Sequence, residues 1–532
     1  MVVLLARKEN TKEKKGLIDY RIFLPALIII VAISIPFSLN ESASLEIMNE
    51  IFNKIVASFK WGYIWYTIIL VGAGLFFSFS KYGNVVLGDP NKKPRFTLFE
   101  YASILIAMGL GSTIMRTGMI QWTAVANDPP FGANPQSTEA LMWGNAYGMY
   151  MWSFQVFAIF VMAAPAMAYI LHVRKKPLLR ISEACRVIFG DRFTDGIGGK
   201  VLDIIFLVSI LSGAAVTLGL GAPIVTYNIA ALFNVDISFG LTLIVTIIWV
   251  CLFSTSAYLG IEKGIKKLST LNMYLAGIFA LGVMILGPGV FILDYFTDTI
   301  GFLLTHYFDL SFHTNALDMG GSTHIESHTV FWFAYSATWA MLHSVFAATV
   351  SKGRTIKEMI LTYLLAPTLI SWVATGVLGG LGVHRYLTGE VDVLDIVRED
   401  EMAAIPAILQ SLPFSTIAMV AFIIIATIFL TTTLDSTTYT IATYTGTNNM
   451  SKVEPSKFLR IVIAAIITVL ALLLMRIGGL APLEVLSGIM GIPIIIIQFL
   501  TIYAAKKMMD EDKAWIHNVR QRDRRPRTRY QR

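Results

Sequence analysis

The sequence predicts an all-α polytopic membrane protein with twelve transmembrane helices, and three observations carry that prediction. Of 532 residues, 55% are hydrophobic and only 14% are charged, with a mean hydropathy of +0.66. A soluble chain of this size is far more polar. Hydropathy then divides the chain into twelve runs of about 20 residues or more, each long enough to cross a bilayer as a helix. Finally, with the N-terminus inside, roughly 35 of the 42 Lys and Arg fall in the inside segments. That asymmetry favours twelve spans, with both termini cytoplasmic, over eleven or thirteen.

The same observations exclude other classes. The net charge of +7 belongs to a surface facing the anionic inner leaflet and argues nothing for nucleic acid. Met1 to Gly16 is short, with seven charged residues of sixteen, unlike a cleaved secretory signal. Cys185 lies in an inside loop and Cys251 in a span, so neither a disulfide nor a cysteine metal site is expected. No nucleophile or metal constellation is spaced through the spans. The expectation is therefore no enzyme, no resident metal and no cofactor.

The elements follow in order. After a polar tail, spans one and two occupy 22–40 and 60–80. They are joined by ESASLEIMNEIFNKIVASFK, whose apolar residues recur at three and four, as in a helix lying along the membrane surface. Span three, 98–125, contains MGLGSTIMRTG. Gly109 and Gly111, followed by Ser112 and Thr113, weaken a helix and free its carbonyls. Such a break builds sites in transporters, and small residues equally permit close helix packing. Arg116, one turn on, reads as the one Lys or Arg left deep within a span. A guanidinium there is costly unless paired. Three roles stay open: a bidentate clamp on a substrate carboxylate, a built-in cation replacing a bound ion, or a structural pair with Asp435.

Span four, 142–171, places Trp152, Phe157 and Phe160 on one broad face. Spans five to seven are read at 199–232, 236–258 and 270–293, and DYFTDTIGFLLTHYFDLSF beyond them reads as an amphipathic helix across the bundle. Span eight, 327–350, crowds Phe331, Trp332, Phe333, Tyr335 and Trp339 into its first half. At 100° per residue these rings cannot share one face. Tyr335 and Trp339 do, and Ser336 and His343 extend their stripe. Rings, a hydroxyl and an imidazole suit a cavity better than lipid, and aromatic faces attract quaternary ammonium groups; an interfacial aromatic belt is the plainer alternative. His343 reads as a packing residue or a proton carrier. Span nine covers 357–382. Span ten, 415–445, carries IFLTTTLDSTTYT, whose hydroxyls suit a hard cation or bond their own helix carbonyls. Spans eleven and twelve, 457–476 and 483–506, read as plain apolar helices. The VRQRDRRPRTRYQR tail reads as an anchor on anionic lipid.

From about residue 17 to 510 these ordered motifs resemble the betaine/carnitine/choline transporter family. The span-eight run F-A-Y-S-A-T-W, followed by S-K-G-R, stands where the family reads W-A-W-W-x-x-W/Y and then a serine or arginine, glycine and arginine. Gly109-Leu-Gly-Ser-Thr113 is similar to its G-M-G-I-G stretch, with the last two positions altered. PPFG, AAVTLGLGAPIVTYN and GIEKGIKKLSTLNMYL resemble the carnitine/butyrobetaine branch. By that resemblance Trp152, Phe157 and Phe160 occupy the positions of a Trp, Trp and Tyr that box a trimethylammonium group with the span-eight aromatics. Ser336 replaces an indole of that box. Thr432, Thr433 and Asp435 match T-S-x-D-S, with Phe429 the preceding aromatic, at the family's sodium site. Asn272 stands where the carnitine branch can carry an arginine in place of sodium. The family usually has an apolar or small residue at Arg116, so no family role carries over to it.

The resemblance implies a LeuT-type fold with a five-plus-five inverted repeat. Its parts would be a cytoplasmic tail (1–19), two peripheral spans (20–97), a first repeat (98–296), an extracellular amphipathic helix (297–326), a second repeat (327–506) and a basic cytoplasmic tail (507–532). It implies a multi-pass protein of the cell membrane, homotrimeric assembly, and alternating access that moves a zwitterionic quaternary-ammonium compound such as betaine or carnitine. The implied substrate site comprises Trp152, Phe157, Phe160, Phe333, Tyr335, Ser336, Trp339, Gly109, Gly111 and Ser112, to which Arg116 is added on its own charge and depth rather than by resemblance; the ion site comprises Phe429, Thr432, Thr433 and Asp435, with sodium or a proton as coupling ion. Symport and substrate exchange both stay open. The alternatives are a less methylated zwitterion or amino acid as cargo, or a membrane sensor that transports nothing.

Overall fold

The computed structural model describes residues 18–111, 113–176, 178–317, 324–446, 455, 457–477 and 481–512. Ser112 and both charged tails fall outside them. Among the described residues the chain is helical, with no strand and only two isolated bridges, Ile18 to Gly446 and Val86 to Thr355. Helices occupy all twelve intervals read from the sequence. Among the described residues, eight are long and apolar enough to cross a membrane, or nine if the bent pair in span three counts as one. Ile244, Ile248, Ile278 and Ile285 face outward from this bundle. Such a surface is a liability in water and a match for lipid.

Span three is two half-helices, Leu98–Gly109 and Thr113–Asn127, bent by 57°. Thr97 and Glu100 form a capping box at its start, satisfying two of the N–H groups a helix leaves open. The break is fixed by Gly111, whose φ of +55° lies in the left-handed region that costs a side-chain-bearing residue about 1–2 kcal/mol. A Cβ at Gly111 would also stand 2.8 Å from Thr433 Oγ1, so the break closes directly against span ten, Ser415–Thr445.

Span four breaks too, at Trp152 and Ser153, between Thr138–Met151 and Phe154–Val161. Span eight enters through a π-helical stretch, Ile325–Val330, and continues as Phe331–Val350. Its S-K-G-R end is a structural lock. Arg354 donates to the carbonyls of Phe96 (2.9 Å) and Thr97 (3.0 Å) and lies 4.2 Å from the Tyr101 ring centroid. It thereby pins the turn after span eight to the start of span three.

Three expectations are corrected. Spans one and two are not separated by a surface helix: Glu41–Phe79 is one helix of 39 residues, started by Asn40, whose side chain accepts from the Ala43 N–H. No Pro or strong break interrupts that run, so propagation continues through it. Span seven ends early, at Leu286, because Gly287 and Pro288 stop it, and the next helix is Gly289–Phe312. Span eleven, Lys457–Ile477, is not plainly apolar. It carries Arg460, only 1% exposed, which forms an ion pair with the buried Asp435. Arg116 is therefore not the lone deep cation.

Candidate functional site: an aromatic cavity between spans three, four and eight

A cavity of about 310 Å³ lies where the broken third and fourth spans face span eight. Span three contributes Gly109, Gly111, Thr113, Arg116 and Thr117; span four contributes Trp152 and Phe160. Span eight lines it with Trp332, Tyr335, Ser336, Trp339 and His343, and span ten with Thr433. Glu401 closes one side from the short helices between spans nine and ten.

The rings form a continuous wall. Trp332 meets Trp152 edge to face at 5.0 Å, lies nearly parallel to Tyr335 at 5.9 Å, and Tyr335 meets Trp339 at 6.4 Å. At the far end His343 stacks on Phe160 at 4.0 Å and its Nδ1 is 2.6 Å from the Tyr363 hydroxyl. That arrangement, a packed and hydrogen-bonded imidazole, matches the packing reading of His343. The break in span four is satisfied by this wall and by span nine: Trp332 Nε1 donates to the Met151 carbonyl (2.7 Å) and Ser371 Oγ of span nine to that of Trp152 (2.6 Å). Trp152 Nε1 in turn donates to Thr117 Oγ1 at 3.1 Å.

Two of the expected box residues stand elsewhere. Phe333 is buried on the opposite face, beside Tyr150. Phe157 sits behind the wall, 6.3 Å from Trp152 and 6.0 Å from Phe160. Trp332 takes the place given to Phe333. The signal was in the sequence: 332, 335, 336, 339 and 343 step by three and four, whereas 333 and 335 diverge by 200° on a helix. Gly213 of span five, Ile197–Phe233, carried no signal at all. A Cβ there would lie 2.9 Å from Trp339 Cζ2, so this glycine makes room for the indole.

The polar groups are few and specific. Trp339 Nε1 and Ser336 Oγ are buried and have no hydrogen-bond partner among the described residues. Buried donors are rarely left so, because an unmade bond costs about 1–3 kcal/mol. Arg116 does not pair with Asp435. Its Nη2 donates to both Glu401 oxygens, at 2.6 and 2.7 Å, with side-chain exposures of 22% and 41%. Asp435 is instead claimed by Arg460 and by Ser256 Oγ, which donates at 2.5 Å.

The other residues expected at an ion site lie behind the break. Thr433 Oγ1 donates to the carbonyls of Ala107 (2.9 Å) and Phe429 (3.0 Å), and Thr432 Oγ1 to those of Ile428 (3.0 Å) and Phe429 (2.9 Å). Thr433 thus joins span ten to span three at Ala107, whereas the Thr432 hydroxyl bonds only carbonyls of its own helix. The Asn272 amide is buried, without a partner among the described residues and away from the cavity wall.

Among solved structures, the chain is similar to a sodium-coupled sialic acid symporter in a substrate-bound, outward-open state, at 15% identity over 84% of this chain and 86% of that one, with a TM-score of 0.43. The sequence model described as BCCT, betaine/carnitine/choline family transporter, matches residues 21–514. With that match running through both broken spans, the aromatic wall and the hydroxyl cluster of span ten, the chain belongs to the betaine/carnitine/choline transporter family.

Proposed function

We propose that this transporter carries a small zwitterion with a methylated ammonium group, by alternating access of the aromatic cavity. The observation that carries the reading is that the wall of ring faces also holds two buried donors, Trp339 Nε1 and Ser336 Oγ, in want of an acceptor. The faces of Trp152, Trp332, Tyr335 and Trp339 attract a cation by about 0.5–2 kcal/mol each. Trp339 Nε1 and Ser336 Oγ suit a carboxylate. So does the start of Thr113–Asn127, where the open N–H groups and the positive end of the helix dipole meet the cavity.

Charge balance supports the same cargo. Arg116 and Glu401 neutralise one another, so a net-neutral zwitterion leaves no unpaired charge in the site, whereas a bare cation or anion does. The cavity, about 310 Å³, lies at the small end of the range for small-molecule sites, in keeping with a compact cargo. Betaine, carnitine and butyrobetaine all satisfy these terms. Sodium is the coupling ion favoured by the oxygens of Ala107, Phe429, Thr432 and Thr433, which are ligands for a hard cation once the hydroxyl protons turn away. The positive-inside pattern supports an orientation with both termini cytoplasmic.

Counterflow of labelled substrate in proteoliposomes tests this. Betaine, carnitine and butyrobetaine are to be compared with choline and with proline, each with and without sodium and a proton gradient. The expected result is exchange of a methylated zwitterion with choline, which has no carboxylate, at least about tenfold weaker. Equal handling of choline removes the carboxylate half of the site. Absence of counterflow with every compound favours a sensor.

A further inference from the structure

Span three ends at Asn127, and the next residue, Asp128, faces the entry to span eight. There His324 and His328, four residues apart, project from the helical stretch that leads into Phe331–Val350. One ligand atom from each of Asp128, His324 and His328 lies within 4.8 Å of the other two. The two imidazoles are 4.9 Å apart, and Tyr147 of span four packs edge-on to His324 at 4.4 Å. His328 also lines the substrate cavity, so this cluster sits at the cavity's lip.

We propose that Asp128, His324 and His328 form a binding site for a divalent transition ion of the zinc class. Two imidazoles and one carboxylate make a borderline-soft donor set that zinc accepts and that magnesium or calcium, which prefer oxygen, do not. His324 is already oriented as a ligand: its Nδ1 is 2.9 Å from the Asp128 backbone carbonyl, the backbone contact that turns Nε2 toward a metal. Bonds of about 2.0–2.1 Å at a tetrahedral angle hold ligand atoms roughly 3.3 Å apart, so a small side-chain rotation brings the trio to coordination distance. The neighbouring Glu326 is turned away, paired with Lys60 of span two at 2.6 Å. A bound ion would tie the end of span three to the start of span eight across the lip, and thereby hold the two spans in the spacing seen here. The site is independent of which zwitterion the cavity carries.

The test uses full-length, tag-free protein in detergent, titrated with Zn²⁺ alone in a calorimeter and with Co²⁺ followed by its visible absorption. One equivalent of Zn²⁺ is expected, competed by Co²⁺ but not by Mg²⁺. His324→Gln and Asp128→Asn are each expected to weaken it by at least about tenfold. The Co²⁺ spectrum should carry the intense bands of a four-coordinate, nitrogen-ligated ion. Absence of stoichiometric Zn²⁺ binding overturns the proposal, as does binding unchanged in both variants while they remain monodisperse. If neither variant is monodisperse, the wild-type Co²⁺ spectrum decides: a weak six-coordinate spectrum rejects the site. None of these readouts depends on transport.

Discussion

Trp339 is the residue on which the proposed substrate site turns. Its indole meets Tyr335, is accommodated by Gly213, and holds a buried Nε1 without a partner among the described residues. Trp339→Phe keeps a ring and removes the donor; the expected loss is about 1 kcal/mol, a roughly fivefold rise in KM with little change in expression. Gly213→Ala pushes the indole instead, so substrate binding should weaken while gel filtration stays normal; unaltered KM would mean that Trp339 can move without consequence. Arg116 needs a pair of variants. Arg116→Ala leaves Glu401 unbalanced at the cavity and should abolish carboxylate-dependent uptake. If the guanidinium only neutralises Glu401, Arg116→Ala with Glu401→Ala restores uptake; if it also clamps substrate, the double variant stays inactive.

Among the elements, the broken third span and the tenth span act together. Gly111→Ala must adopt a left-handed conformation and meets Thr433 Oγ1 at 2.8 Å, so about 1–2 kcal/mol of strain is expected from the backbone alone. The transport assay should show loss of uptake, and of any sodium dependence, before loss of the folded protein. Spans ten and eleven are joined by Asp435 and Arg460, both essentially unexposed. Removing one partner of such a pair costs about 3–5 kcal/mol, whereas replacing both with apolar residues is often neutral. Arg460→Met should therefore lower the unfolding temperature sharply in detergent, and Arg460→Met with Asp435→Leu should recover most of it. Failure of the double variant to recover would give Asp435 a role beyond that pair.

At the scale of the molecule, the proposed substrate and coupling ion should report on one another, because any ligand that favours the folded state stabilises it and coupling between two ligands is reciprocal. A saturating zwitterion at about 100 times its Kd adds roughly 2.7 kcal/mol to stability. The unfolding temperature should therefore rise with betaine or carnitine, and rise further when sodium is present. If sodium alters neither the unfolding temperature nor the apparent Kd, the Thr432 and Thr433 cluster is a packing device of helix-bonded hydroxyls.

Composition, hydropathy and charge asymmetry were enough for an all-helical membrane chain, since bilayer thickness and the cost of unpaired backbone in lipid leave few other solutions. The glycines of span three announced a break, and the three-and-four spacing from Tyr335 to His343 announced a face. What one dimension could not carry was partnership. Arg116 and Glu401 are 285 positions apart, and Asp435 lies within reach of both a span-three cation and Arg460 as far as composition is concerned. Only the packing of the helices chose between them. The same holds for Trp332 over Phe333, decided by which side of span eight meets span four, and for Gly213, whose missing side chain matters because another span's indole fills that space. His324 and His328 showed their helical spacing in the sequence, but the third ligand comes from the end of span three, and it took the folded bundle to bring Asp128 to them.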